Sequence, residues 1–297
     1  MNIFVTGASG FIGSAVVAEL LAHGHHVVGL ARSESAAQRV AASGAVVLRG
    51  GLDEPEILMS GASAADAVIH LAFHHDFTEY DVANRLERQA IATLGDALAG
   101  SDRALVVASG MAGLGQEQIL TEDHAAPPDA PRGSEAAVFA LTQRGVRTAA
   151  VRLAPTVHGA GDHGFVPTLI GCARSAGVSL YPGDGSNRWP AVHRLDAAAL
   201  FRIAAEDAPA GTVLHAVAED GIPVRQIAEA IGAGLGLPVE STAPAAVAQR
   251  AGFVGAVFGL DLAASSEKTR ARFGWQPTHE GLLDDLAHTH YFAAPQS

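Results

Sequence analysis

Apolar positions along the first half of the chain alternate between short continuous runs and helical spacing, the two periods that separate strands from helices. Asn2-Ile3-Phe4-Val5 reads as a strand, after which Phe11, Ile12, Val16, Val17, Leu20 and Leu21 recur at helical intervals until Gly24 stops the pattern. His26 to Leu30 is a second strand, and Ser33 is placed to cap a helix running to Ala42. Ala45 to Arg49 follows as a strand, then a short helix with Asp53 as cap and Pro55 just inside. Ala67 to Leu71 is the fourth strand. Leu86, Ala90, Ile91, Leu94 and Leu98 then line one face of a helix from Asn84 to Leu98. The unbroken apolar run Ala104 to Ala108 suits the centre of a parallel sheet. A helix over Ser134 to Arg144 and a strand over Ala149 to Leu153 complete the series. Such βα alternation predicts an α/β fold, a doubly wound parallel sheet with helices on both faces. Beyond Thr156 the pattern is mixed, with loops rich in Gly, Asp and His. We expect residues 1–155 to form the main domain and residues 156–297 a smaller substrate-side region, with Thr212 to Val217 returning to the main sheet.

The first strand-to-helix junction, Thr6 to Gly13, reads TGASGFIG. Gly7 permits the tight turn, Gly10 lets the backbone approach a pyrophosphate, and Gly13 lets the helix lie close. Amides freed at the helix start point at the phosphates, with the positive end of the helix dipole behind them. The junction predicts a Rossmann-type dinucleotide site. An acidic residue at the end of the second strand would select NAD through the ribose 2′-hydroxyl. Here that stretch is Leu30-Ala31-Arg32-Ser33, with no carboxylate to repel a 2′-phosphate and an arginine able to pair with one. NADP(H) is the expected cofactor.

Charge and cysteine content narrow the class. A net charge of −12 supplies no basic stripe for nucleic acid. The one cysteine, Cys172, excludes an internal disulfide framework and suits a reducing, cytoplasmic setting. A strand starting at residue 2 leaves no room for a signal peptide, and no apolar run approaches membrane-spanning length.

The TGASGFIG turn, the triplet His70-Leu71-Ala72, the triplet Val157-His158-Gly159 and the stretch from Gly183 to Ala198, GDGSNRWPAVHRLDAA, together resemble the extended short-chain dehydrogenase/reductase family, also called the NAD-dependent epimerase/dehydratase family. The resemblance covers nearly the whole chain. It implies that Ser9, Gly10, Phe11 and Ile12 contact the pyrophosphate, that Leu71 and Ala72 pass beneath the cofactor, and that Leu52 flanks the adenine. Arg32, Ser33, Ser109 and Leu153 complete the expected cofactor-side set with Gly7 and Gly13. The aspartate common before the adenine-flanking residue is Gly51 here. The resemblance also implies a homodimer through the helices Asn84–Leu98 and Ser134–Arg144, with Ala136, Ala137 and Ala140 allowing close approach.

One departure bears on chemistry. Such proteins carry a tyrosine and a lysine four residues apart on the helix after the fifth strand. Aligned on the following strand, this chain has Pro131 and Glu135 there, and its three tyrosines are Tyr80, Tyr181 and Tyr291. The family's Ser or Thr after that strand falls at Gly110, or at Ser109 with a shift of one. Hydride transfer needs the reactants held together, and that positioning supplies much of the acceleration. A proton donor adds about 10²–10⁴-fold. Substitutes are expected near the carboxyl ends of the fourth to sixth strands: Phe73, His74, His75 and Asp76, then Ser109 and Met111, then His158. The later loop adds Tyr181, Asn187, Arg188, Trp189 and His193. Ser109, His158 and Tyr181 are the candidate catalytic groups, and Phe73, Met111, Arg188, Trp189 and His193 the candidate pocket.

Fourteen histidines raise the question of a metal. The adjacent pairs His25-His26 and His74-His75 point to opposite faces of any strand. His23 with His25, and Asp162 and His163 with His158, match no ligand spacing, so no metal is expected. Two classes remain for this small-molecule protein: an NADP(H)-dependent oxidoreductase acting on a carbonyl, imine or activated alkene, and a non-catalytic NADP-binding sensor. Visible pocket loops and the lack of a basic patch or tail favour the enzyme. Epimerase or dehydratase chemistry ranks third, because it too relies on the missing tyrosine.

Overall fold

The computed structural model describes residues 1–73, 80–114, 119–127 and 132–293. Its centre is a seven-stranded sheet built from β1 (Asn2–Thr6), β2 (His26–Ala31), β3 (Val46–Arg49), β4 (Ala67–His70), β5 (Ala104–Gly110), β6 (Arg147–Leu153) and β10 (Thr212–Ala216). The order is β10-β6-β5-β4-β1-β2-β3, and every neighbouring pair is parallel. The chain winds outward from β1 to β3, then crosses back to place β4 on the other side of β1. That reversal opens a crevice at the carboxyl ends of β1 and β4, where doubly wound folds bind ligands.

Alternate residues of β1 feed two different layers. Ile3 and Val5 join α1 (Phe11–Ala22) and α7 (Arg194–Asp207) through Val16, Val17, Leu20, Leu200 and Phe201. Phe4 faces the opposite layer with Leu58, Ile91, Leu94 and Val138, from α3 (Pro55–Ser63), α4 (Tyr80–Leu98) and α5 (Ser134–Phe139). Each of these side chains is fully buried or nearly so, and full burial stabilises by about 1.5–3 kcal/mol per large aliphatic or aromatic residue. Ser33 caps α2 (Glu34–Ala42), its hydroxyl accepting from the Ala36 amide at 3.2 Å.

Several element boundaries differ from the sequence reading, α4 starting at Tyr80 rather than Asn84 and β6 at Arg147 rather than Ala149. Glu54, not Asp53, precedes α3, and its carboxylate turns back to accept from the Gly51 amide at 2.8 Å. The helix expected to run from Ser134 to Arg144 ends at Phe139. A short 3-10 turn, Thr142–Arg144, takes its place, closed by Gly145 in the left-handed region. Thr142 leaves the helical path to meet Thr148 on β6, hydroxyl to hydroxyl at 2.6 Å.

A second body of structure follows β6. β7 (Thr156–His158), β9 (Arg188–His193) and β11 (Glu219–Pro223) form a three-stranded sheet, and β8 (Ser179–Pro182) pairs β12 (Val239–Thr242). Around them pack α6 (Phe165–Ala176), α8 (Val224–Leu235) and α9 (Pro244–Phe258). α10 (Glu267–Phe273) and α11 (Leu282–Asp285) come last. Trp189, Ile227 and Phe258 centre the separate core of this part. No helix among the described residues is long and apolar enough to cross a membrane.

Candidate active site

The β1–α1 junction is the tightest piece of backbone in the crevice. Gly7 sits at φ +70°, and a Cβ there would lie 2.7 Å from the Ala72 amide nitrogen. The turn therefore rests directly on Leu71-Ala72, at the end of β4. Gly13 would place a Cβ 2.0 Å from the Gly7 carbonyl oxygen, so α1 can begin this close to the turn only with glycine there. Gly10 is the residue before α1, with no side chain capping the helix amides. Thr6 locks the floor: its hydroxyl accepts from the Ala72 amide at 3.3 Å and shares a hydrogen bond with His70 Nδ1 at 2.8 Å. An uncapped helix start over a glycine turn is the cradle a dinucleotide pyrophosphate requires. Phe11 borders it, flanked by the His163 ring at 5.8 Å and the Arg194 guanidinium at 5.2 Å. Ser9 and Ile12 lie half-buried on the same turn.

At the far end of the crevice, Arg32 is exposed on the edge after β2 and forms no ion pair among the described residues. The Ser33 carbonyl accepts from Arg49 Nη1 at 3.0 Å, which brings a second guanidinium to this edge. Arg49 also meets Glu34 at 3.2 Å, both exposed. Gly51 lies between Arg32 and Asp53, whose carboxylate would stand 2.4 Å from any Cβ at that position. Leu52 packs half-buried against the core layer of α3 and α4.

Toward the centre of the sheet, Ser109 and Met111 are buried at the end of β5, and Gly110 pairs with Leu153 of β6. Here two ion pairs appear that sequence reasoning missed. Glu135 of α5 accepts from Arg152 Nε and Nη2 of β6, both at 2.8 Å, with both side chains buried. Arg152 Nη1 also contacts His215 Nε2 of β10 at 3.3 Å. Arg132 Nε and Nη2 are held by Glu87 of α4 at 3.0 and 2.5 Å, with the Glu87 side chain only 1% exposed. The Arg132 guanidinium lies 4.5 Å from the Phe73 ring centroid. Burial, assisted by that same positive charge, lowers His70 from 6.5 to about 3, so the imidazole is neutral. Its Nε2 is buried without a hydrogen-bond partner among the described residues. Four other expected positions, Pro131, His74, His75 and Asp76, lie outside the described residues. The pairs went unseen because their partners stand 17 and 45 residues apart, a separation that no local pattern encodes.

The remaining candidates separate. His158 is buried at the end of β7, its Nδ1 2.7 Å from Asp285 Oδ2 and its Nε2 without a partner among the described residues. Across the strand pair it meets His193 edge to face at 5.4 Å. His193 Nδ1 accepts from the Leu195 amide at 3.3 Å, and burial, with His158 and His279 beside it, pushes its pKa down. Tyr181 is on β8 beside β12, under the Arg225 guanidinium at 5.7 Å. Tyr291 accepts from the Gly159 amide at 3.2 Å and donates to Asp162 at 3.0 Å, and burial pushes its phenol strongly upward.

One pocket expectation needs correction. Trp189 is fully buried, its indole donating to the Val257 carbonyl at 3.1 Å and its ring 4.9 Å from Phe258, so it is interior rather than pocket wall. Arg188 is engaged by both Asp261 oxygens at 3.0 and 2.8 Å, and Asn187 donates to the Phe258 and Leu260 carbonyls. The loop's polarity anchors it to α9 and the turn beyond.

His193, Asp196 and His279 bring potential metal-ligand atoms within 4.8 Å of one another, a grouping the sequence did not suggest. The two rings stack at 4.7 Å and 14°. Asp196 is occupied by the Thr278 and His279 amides and by His279 Nδ1. This is a hydrogen-bonded clasp on the segment before α11.

The profile of the NAD dependent epimerase/dehydratase family matches residues 3–216, a span running from β1 through β10. The chain belongs to that family. It is 46% identical over 98% of its length to the uncharacterized protein C2A9.02 of Schizosaccharomyces pombe, covering 100% of that protein. It is 31% identical to the 2′-dehydrokanamycin reductase of Streptomyces kanamyceticus over 80% of this chain and 68% of that one. Among solved structures, the dTDP-glucose 4,6-dehydratase DesIV of Streptomyces venezuelae superposes with a TM-score of 0.79 at 21% identity, covering 98% of this chain and 97% of that one. As a member of this epimerase/dehydratase family, the protein is an enzyme of the NAD(P)-dependent oxidoreductase or epimerase type, and its cofactor is a nicotinamide dinucleotide.

Proposed function

We propose that this enzyme is an NADP(H)-dependent reductase of a small or medium organic carbonyl, imine or activated alkene, working without a phenolic proton relay. The observation that carries this reading is the Glu135–Arg152 pair. At the position where we align the family's lysine stands a buried carboxylate, Glu135, paired with the strand arginine Arg152. The glycine cradle is nevertheless intact. Relatives named as reductases, including the ketoreductase of Stigmatella aurantiaca at 31% identity over 75% of this chain, support reduction over epimerisation.

In this reading the bound dinucleotide supplies a hydride from its reduced nicotinamide. Gly7, Ser9, Gly10, Phe11, Ile12 and Gly13 hold its pyrophosphate. Arg32, with Ser33, holds the 2′-phosphate, Leu52 flanks the adenine, and Leu71, Ala72, Ser109 and Leu153 line the path to the reacting end. Phe73 and His193 border the substrate, while Met111 is buried in the core beneath. Residues 1–155 carry the cofactor and residues 156–297 the substrate side. Two chains pair through α4 and α5, where Ala136 and Ala140 are exposed. A dimeric mass by light scattering at micromolar concentration is expected, and a monomer would contradict the pairing.

Steady-state NADPH oxidation across ketone, imine and enone panels, with NADPH and NADH binding measured alongside, tests the function. Turnover of at least one class with NADPH preferred is expected, and Tyr181→Phe should leave it unchanged. Tight NADPH binding without oxidation in any panel would overturn the reading.

A further inference from the structure

Resting on that reductase reading, we propose that Arg132 is the electrophilic residue of the site, offering its Nη1 edge to the carbonyl oxygen of the substrate. Arg132 stands just before α5, one residue past the position where the family's tyrosine aligns. Its guanidinium covers Phe73, the residue following the Leu71-Ala72 floor on which the Gly7 turn rests. It therefore stands at the carboxyl end of β4, beside the topological switch.

The fork geometry divides the group in two. Nε and Nη2 are spent on Glu87, while Nη1 donates to no other described residue. The side chain as a whole is 18% exposed, against 1% for Glu87. Glu87 balances the charge, leaving oriented N–H donors with no net charge to attract a full anion. Such a site suits a neutral oxygen that gains charge only as the reaction proceeds. The nearby alternatives are unsuited to the role. His70 is neutral and enclosed, Tyr291 is tied between Gly159 and Asp162, and Glu135 is paired.

The step balances without an acidic side chain. Hydride from the reduced dinucleotide forms the new C–H bond, the carbonyl π pair moves to oxygen, and the Arg132 N–H groups hold the oxyanion. A proton from water completes the alcohol, because a guanidinium does not release one at neutral pH.

The test uses the full chain with NADPH and a carbonyl panel of butane-2,3-dione, cyclohexanone and trifluoroacetophenone. Arg132→Gln alone would strand buried Glu87, so the charge-neutral double variant E87Q/R132Q is made beside R132K and R132A. The double variant should bind NADPH like the wild type, keep KM for the carbonyl within a few-fold, and lose about 10²–10³-fold in kcat, the loss typical of one oxyanion donor. Guanidinium chloride at tens of millimolar should restore part of the R132A rate, and R132K should fall between wild type and the double variant. An unchanged kcat in E87Q/R132Q, or a loss confined to KM or to NADPH binding, would overturn the role of Arg132 alone. A wild type that binds NADPH yet turns over none of the panel would overturn the carbonyl reading and this role together.

Discussion

Glu135 and Arg152 face each other across the α5–β6 junction as a buried bidentate pair, both contacts at 2.8 Å. Losing one partner of such a pair leaves a charge in a dry interior and costs about 3–5 kcal/mol, whereas replacing both with apolar residues is often nearly neutral. Glu135→Gln should therefore lower the stability measured by urea unfolding by that amount, and E135M/R152M should recover most of it. Glu135→Lys should be worse than Glu135→Gln because it sets two cations together. A Glu135→Lys variant as stable as wild type would refute the structural role.

Gly13 and Gly110 make a matched pair of substitutions. Alanine at Gly13 would put its Cβ 2.0 Å from the Gly7 carbonyl oxygen, while alanine at Gly110 meets no atom of the described residues within 4 Å. Gly13→Ala should cost about 1–3 kcal/mol in overpacking and abolish NADPH binding measured by fluorescence. Gly110→Ala should change stability by less than about 0.5 kcal/mol. Equal effects would show that the cradle is not set by close approach.

Arg32 is exposed at the end of β2 with Arg49 beside the neighbouring Ser33 carbonyl. Arg32→Ala should weaken NADPH binding by about 1.5–3 kcal/mol, the range for hydrogen bonds to charged groups, and leave NADH nearly unchanged. Calorimetric titration with both dinucleotides separates the outcomes. Equal losses would remove the 2′-phosphate assignment.

His70 predicts a pH dependence with a definite sign. Its folded-state pKa is lowered from 6.5 to about 3, by burial first and the Arg132 charge second. Between those values the unfolded chain takes up a proton that the folded chain refuses, so this stability is full above pH 6.5 and is lost as pH falls toward 3. The loss is about 2 kcal/mol at pH 5. His70→Asn, which can keep the bond to Thr6, should make stability of the dinucleotide-free protein less steep between pH 6.5 and 4.5. An unchanged slope would show that other groups govern acid sensitivity.

The βα alternation, the Ser33 cap and the Gly7–Gly13 turn were legible in the sequence because each is a local pattern with one backbone solution. The early end of α5 was not, because Thr142 is drawn away by Thr148 on the neighbouring strand. Trp189 looked like a pocket residue beside Arg188 in a glycine-rich loop. Its burial depends on α9, which arrives more than fifty residues later and supplies the Val257 carbonyl and the Phe258 ring. The same limit hid Asp285, which meets His158 across 127 residues. Residue types at the site could be named from sequence, but their charge partners came only with tertiary contacts.

Hydride transfer from NADPH to an organic acceptor can be followed in a single turnover, by stopped flow with NADPH deuterated at the transferring C4 position. For the best acceptor of the panels, deuterium should appear on the reduced carbon of the product, and the deuterated cofactor should react more slowly than the unlabelled one. NADPH bound at the cradle with no absorbance change and no label in any product would contradict the account.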